Sequence, residues 1–403
     1  MICFIPGILC ASYLNKNNEK KLWDKTAINN GEKIKIVICS SSFSGGMGTY
    51  IKNIVPYLLG NNFEVALIFN PDTSNSEKQR FESLDCKKYG FNKKISKVKV
   101  IHLFRKYRYY EKTIDEFKPD IIYINTSSFA RSKIIYNVAN SYYYAHIIMH
   151  SHNAVNNETK LTMFEKWLRY NTILENTNRY SCSKESGKVF FGKNFGRRST
   201  DSVINNFVDI ENFKFNIEKR NEIRKQYNIQ DDEILLGSIG RLSEQKNQGF
   251  LVELLERLPN NYKLMIVGGG LLQTSLDQQI IDLKLENRVI IVPSNNEVNK
   301  YLCAFDYFCL SSLTEGLPFV SVEAQCSGVM NIINKDLPKE IALTDSVTML
   351  PITLCVWKSY LIKNQPVPLN NRLEASKRIV KANFSSKTVP ETIIRKLQEK
   401  VYG

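Results

Sequence analysis

An alternation of short apolar runs with helical patterns begins at Ile34, breaks once near residue 205, and begins again near residue 234. This constrains the fold more than any other feature, because neighbouring parallel strands need a crossover, usually a helix, between them. In the first series the expected strands are residues 34–40, 65–69, 98–102, 121–125 and 145–150, closed by short apolar stretches at Tyr180 and Val203. In the second they are residues 234–239, 263–267, 289–292, 307–310, 330–333 and 348–350. The stretch 205–232 is polar and charged, with a helix expected at 218–227, so a domain boundary belongs there.

The expected organisation is an extension outside the fold at 1–32, a Rossmann-like domain at 33–205, a second at 206–375, and a closing helical segment at 376–403. A length of 403 residues suits two cores. Apolar residues 1–14 are broken by Pro6 and Gly7 and lack a basic leader, which argues against a signal peptide. No uninterrupted apolar stretch of about 18 residues suggests a spanning helix. Nine scattered cysteines without a Cys-x-x-Cys pair suit reduced thiols and a cytoplasmic setting.

The formal charge of +15 favours anionic partners. No zinc finger or aromatic RNA-binding signature accompanies it, so nucleic acid is not the expected partner. Lys93, Lys94, Lys97, Lys99, Arg105, Lys106 and Arg108 interleave with Phe104, Tyr107, Tyr109 and Tyr110. A basic and aromatic mixture of this kind over Lys93 to Tyr110 suits an anionic membrane surface, although a solvated basic face reads the same way.

Four stretches carry chemistry. Gly45-Gly46-Met47-Gly48-Thr49-Tyr50 follows the first strand and feeds a helix; glycines and free amides there can approach an anion, or simply make a tight turn. Gly240-Arg241-Leu242, with Lys246, follows the first strand of the second series, where two cations could neutralise a diphosphate or stand as ordinary loop charges. Gly268, Gly269 and Gly270 end the next strand and keep side chains out of the way, as close packing against a base or a phosphate needs and as a plain loop also allows. Glu315-Gly316-Leu317-Pro318 places one carboxylate in a loop and Glu323 about a turn and a half into the following helix, so both can face one pocket at the site surface and accept from sugar hydroxyls, or stand as two solvated glutamates. His150-Ser151-His152-Asn153 ends the fifth strand; a third metal ligand is missing, so a site histidine or a structural one is the better reading.

Taken in order, these stretches resemble the bacterial glycosyltransferases of the large retaining family 4, with the GT-B fold. Cys182-Ser183-Lys184-Glu185 and Val203-Ile204-Asn205-Asn206-Phe207-Val208-Asp209 add to the likeness. The His-Ser-His-Asn and Asn-Asn-x-Val-Asp pieces look most like enzymes of capsular, exopolysaccharide and O-antigen (lipopolysaccharide) assembly. The resemblance implies an α/β protein of two doubly wound Rossmann-like domains facing each other across a cleft, the second binding a nucleotide sugar, expectedly a UDP-sugar, and the first the acceptor. It implies that Arg241 and Lys246 hold the diphosphate, Glu323 the ribose and Glu315 the donor sugar, with Gly240, Gly268, Gly269, Gly316 and Leu317 lining the donor site. Gly46 would lend an amide near the phosphate, with Gly48 also in the donor-binding set, and His152 would border the reacting sugar; Glu315, His152, Arg241 and Lys246 would form the catalytic set.

The expected reaction is retaining transfer to a glycan or lipid-diphosphate-linked acceptor, with peripheral attachment to the inner leaflet of the membrane. No Asp-x-Asp pair occurs, so metal-independent transfer without a cofactor is expected, with cations in place of magnesium. A nucleotide-sugar 2-epimerase on the same fold and a non-catalytic nucleotide-sugar-binding scaffold are the alternatives. The stretch Ser327 to Lys335 lacks the proline and the Ser-Asp usual in the family, which puts the loop beside the donor pocket in question.

Overall fold

A computed structural model of the chain describes residues 32–43, 45–91, 99–142, 144–152, 177–295 and 297–402. They form two units, residues up to Ile204 together with those from Pro390 onwards, and Asn205–Val389. The expected closing segment is therefore divided at Pro390 between the two. The expected extension at 1–32 lies outside the described residues except for Glu32.

The first unit is built on seven parallel strands, β1 (Ile34–Ser40), β2 (Phe63–Ile68), β3 (Lys87–Tyr89), β4 (Ile121–Thr126), β5 (His146–Ser151), β6 (Thr177–Ser181) and β7 (Asp201–Val203), in the order β3-β2-β1-β4-β5-β6-β7. β1, β4 and β6 are buried along almost their whole length, as strands covered on both faces must be. The helices of this unit include α1 (Gly45–Leu59), α2 (Lys99–Phe117) and α3 (Phe129–Ala139). α2 begins where a strand at 98–102 is expected. Tyr107, Tyr110, Ile114 and Phe117 recur at helical spacing and bury themselves in the core, and that stripe overrides the β-branched start. At the sheet edge, Arg179 holds Asp201 through two 2.6 Å hydrogen bonds, fixing β7 to β6.

The second unit has six parallel strands, β8 (Ile234–Ile239), β9 (Tyr262–Val267), β10 (Val289–Val292), β11 (Tyr307–Leu310), β12 (Met330–Asn334) and β13 (Val347–Leu350), ordered β10-β9-β8-β11-β12-β13. The chain order reverses between β8 and β11, which pair only at Leu236 with Tyr307 and Gly237 with Phe308. Open sheets bind ligands at the carboxyl ends beside such a reversal. The charged stretch after Asn205 is part of this unit. Its helix α4 (Ile217–Gln226) presents Arg220 and Arg224 to Asp306, which also accepts from the Leu235 amide at 2.8 Å. Strand β12 forms despite the unusual residues, and Asn334 at its end donates to the Ser312 carbonyl at 2.9 Å.

Candidate functional site

In the second unit, the loop after β8 and the loop after β11 are tied together. Leu313 N–H donates to the Gln245 carbonyl at 2.8 Å, Gln245 Nε2 donates to the Thr314 carbonyl at 2.7 Å, and Ser311 Oγ donates to the carbonyls of Lys246 and Asn247. These bonds set Lys246 Nζ 2.5 Å from Glu315 Oε1, with the two side chains 18% and 10% exposed. Arg241 is exposed on the same loop, and its carbonyl accepts from Gln248 Nε2 at 3.0 Å. Thus Lys246 and Glu315, one cation and one carboxylate expected at a donor site, meet at the carboxyl ends of β8 and β11, and Arg241 stands exposed on the same loop as Lys246.

Glu323 lies on α5 (Phe319–Cys326), which Pro318 caps, and is 8% exposed. The expectation that it stands at the site surface is corrected: it is buried. Burial pushes its carboxyl up to about 7, so near neutral pH it is poised between the acid and the carboxylate. The carbonyl of Leu317 is fixed by Asn206 Nδ2 at 2.7 Å, so the loop carrying Glu315, Gly316 and Leu317 is anchored from the start of this unit.

The glycines divide by what surrounds them. A Cβ on Gly268 would stand 1.9 Å from the Gly240 carbonyl oxygen, and one on Gly270 would stand 2.3 Å from that of Leu242. Both glycines therefore let two strand-end loops touch backbone to backbone. A Cβ on Gly240 would meet the Lys246 stem at 3.2 Å, whereas Gly269 faces open space.

In the first unit, Gly46 is exposed in the first turn of α1, where helix amides are open to an anion. Gly48 is buried, and a Cβ there would meet the Phe43 carbonyl at 2.1 Å, so its packing accounts for it. His152 is 7% exposed, its ring 4.1 Å from that of His150 and 4.7 Å from that of Tyr50. A buried polar chain lies behind it: Tyr50 Oη is 2.9 Å from Tyr123 Oη, which is 2.6 Å from His150 Nδ1. Burial, and next the charge of His152, hold His150 well below the usual histidine range, so it is a neutral ring. Sequence reading assigned no supporting role to Tyr50, Tyr123 or Asn206; Tyr50 and Asn206 lie in stretches that carried a signal, and Tyr123 lies in a plain strand.

The basic and aromatic segment is only partly as expected. Lys93, Lys94 and Lys97 lie outside the described residues, Tyr107 and Tyr110 are buried, and Tyr109 donates to the carbonyls of Tyr89 and Phe69. Tyr107 and Tyr110 belong to the core and cannot face a membrane, and Tyr109 packs partly buried against it. Ile101, Leu103 and Phe104 are 40–48% exposed, with Arg105 and Arg108 also at the surface. No helix among the described residues is long and apolar enough to cross a membrane.

Residues 219–343 match the family model for glycosyl transferases group 1. EpsF of Bacillus subtilis (strain 168), named as a glycosyltransferase, is 27% identical over 52% of this chain and 57% of its own length. The UDP-Gal:alpha-D-GlcNAc-diphosphoundecaprenol alpha-1,3-galactosyltransferase of Escherichia coli is 32% identical over 33% of this chain and 36% of its own. The matched segments thus span little more than half, or about a third, of these relatives. Among solved structures, HepE of Anabaena in complex with UDP-glucose aligns with a TM-score of 0.74 at 20% identity, covering 91% of this chain and all of that one. Residues 219–343 of the second unit are therefore similar to group 1 glycosyltransferases, and the chain has the GT-B fold.

Proposed function

We propose that this chain is a retaining glycosyltransferase that moves a sugar from a UDP-sugar to a lipid-diphosphate-linked glycan in cell-surface polysaccharide assembly. The observation that carries the reading is the Lys246–Glu315 pair, set at the carboxyl ends of β8 and β11 beside exposed Arg241 and inside the segment that matches the group 1 model. The UDP-glucose complex of HepE and the diphosphoundecaprenol acceptor in the name of the Escherichia coli relative support the choice of donor and acceptor.

Breaking the bond between the anomeric carbon and phosphate leaves charge on a nucleoside diphosphate. Arg241 and Lys246 would neutralise it, the arginine as a fork and the lysine as a point charge, so no divalent cation is required. For Lys246 to reach the diphosphate, Glu315 must turn from the ammonium to the hydroxyls of the donor sugar. Glu323, once ionised, would accept from the ribose hydroxyls. In the first unit, Gly46 would lend an amide to the phosphate and His152 would border the reacting sugar. No residue is assigned as a covalent nucleophile. Peripheral attachment would use the exposed Ile101, Leu103 and Phe104 with Arg105 and Arg108.

The test is a transfer assay with labelled UDP-sugars and a short prenyl-diphosphate-linked sugar, run with and without EDTA, with the anomeric configuration of the product read by NMR. An α-linked product from an α-linked donor, unchanged by EDTA, is the expected result. Conversion of the nucleotide sugar without any acceptor would replace the reading with an epimerase.

A further inference from the structure

The first unit has a cavity of about 360 Å³ that none of the roles assigned to Gly46, His152 or the face of α2 uses. It lies at the carboxyl ends of β1 and β2, next to the point where the strand order reverses between β1 and β4, and its lining includes Ser41, Ser42, Asn70, Lys106 and Arg131. Lys106 comes from the middle of α2 and Arg131 from the first turn of α3, whose amino end adds its partial positive charge. The two cations are 25 positions apart in the chain. Only the crossovers of the sheet bring them together.

The lining sets Lys106 and Arg131 against two carboxylates, Asp72 and Glu77. The Lys106 side chain is 11% exposed, and its ion pair, with Asp72, is 3.9 Å long to a carboxylate that is 61% exposed. Glu77 also lines the cavity, but its Oε2 accepts from both the amide and the hydroxyl of Ser74, each at 2.9 Å. Burial is the main cause pulling the Lys106 ammonium below the usual lysine range; Asp72 opposes it and Arg131 adds to it. Folding therefore holds a mostly buried ammonium near the exposed Arg131, with Asp72 at 3.9 Å as its ion-pair partner among the described residues, an arrangement that costs stability and that an anion would relieve.

The rest of the wall is ready for such an anion. The Asn70 side chain is held at both ends, donating to the Ser40 carbonyl and accepting from Tyr110 Oη. Ser41 Oγ accepts from the Ser127 amide at 3.1 Å, and among the described residues its own proton has the Met47 sulfur at 3.7 Å and the Ser127 hydroxyl at 3.4 Å within reach. An anionic oxygen is a stronger acceptor than either, so Ser41 is able to donate to one.

We propose that this cavity binds a phosphate group of the acceptor, with Lys106 and Arg131 as its counter-charges and Ser41 as a neutral donor. The proposal rests on the reading of the first unit as the acceptor side of a glycosyltransferase. A diphosphate linking a glycan to a lipid and a free sugar phosphate would present the same chemistry, and two probes, one with a prenyl chain and one without, separate these sources.

The experiment is a calorimetric titration of the full chain, saturated with UDP, with inorganic phosphate and with farnesyl diphosphate. The same titrations are made with Lys106→Gln, Arg131→Gln and Lys106→Arg, and the melting temperature and UDP affinity of each variant are recorded. The expected result is that the wild type binds at least one probe, that each glutamine variant binds it tenfold or more weakly with UDP affinity unchanged, and that Lys106→Arg keeps most of the binding. Tighter binding of farnesyl diphosphate points to the lipid-linked source, and equal or tighter binding of phosphate to the free one. Lys106→Gln should melt no lower than wild type, because it removes a buried like charge. Equal affinity in wild type and the glutamine variants, or no binding of either probe by the wild type, overturns the proposal. If UDP does not bind the wild type, the donor reading fails, and the same titrations without UDP still decide the anion site.

Discussion

The ammonium of Lys246 lies 2.5 Å from Oε1 of Glu315, so the residue expected at the diphosphate and the residue expected at the donor sugar are each other's partner. Both are mostly buried, and removing one leaves the other's charge poorly solvated. Lys246→Ala should therefore lower stability by roughly 1–3 kcal/mol, and Lys246→Ala with Glu315→Gln should recover most of it. UDP-sugar affinity should fall about tenfold or more in both. Thermal melts with calorimetric titration of the donor check this; a single variant as stable as wild type would show that the pair carries no weight in the fold.

Glu323 makes stability and donor binding depend on pH in opposite senses. Its folded pKa is pushed up to about 7 from 4.5, so between those values the native state holds a proton that the unfolded chain has lost. Stability contributed by this group is present below 4.5, falls as pH rises to about 7, and is flat above. Glu323→Gln should flatten that slope and stabilise the protein at pH 8 by on the order of 1–3 kcal/mol. Donor affinity should rise from pH 6 to pH 8 in the wild type and stay level in the variant, because ribose hydroxyls donate to the carboxylate. Denaturant melts and donor titrations across that range read both effects; parallel curves for the two proteins would remove the assigned role.

Adjacent glycines should respond differently to the same change. Gly268→Ala drives a methyl group to within 1.9 Å of the Gly240 carbonyl and should cost more than about 3 kcal/mol, because backbone must move. Gly269→Ala meets nothing within 4 Å and should stay within about 0.5 kcal/mol of wild type. Urea melts of the two variants are a direct comparison.

The exposed side of α2 gives a prediction for membrane contact. Ile101→Asp with Phe104→Asp should reduce sedimentation with anionic vesicles at least fivefold and leave the melting temperature within a few degrees, since both side chains are at the surface. Tyr107→Ala should instead lower stability by about 3–5 kcal/mol, as a core tyrosine. Undiminished vesicle binding by the aspartate variant would rule out the face of α2 as the membrane contact.

Strands buried on both faces were legible because they are continuous apolar runs. The bounds expected for residues 34–40, 234–239, 289–292 and 307–310 are those of β1, β8, β10 and β11. β3, with its two lysines and three residues, has no such run and is held by its neighbour β2. The strand expected at 98–102 fails because the apolar stripe of α2 extends to Phe117, beyond the window that looks β-like. The second-unit site was legible where function compresses it into contiguous stretches, as from Glu315 to Glu323. Two facts were not: the burial of Glu323, which depends on packing around α5, and the meeting of Lys106 with Arg131, which depends on the order of strands in a sheet.

On the proposed function, the second unit binds a nucleotide sugar through Arg241, Lys246, Glu315 and Glu323. The most direct measurement is calorimetric titration of the purified chain with UDP, UDP-glucose and other nucleotide sugars in EDTA, repeated with Lys246→Ala and Arg241→Ala. Saturable binding of one nucleotide series without metal is predicted, weakened about tenfold or more in each variant. Wild-type affinity in both variants, or no binding of any nucleotide sugar by the wild type, would contradict it.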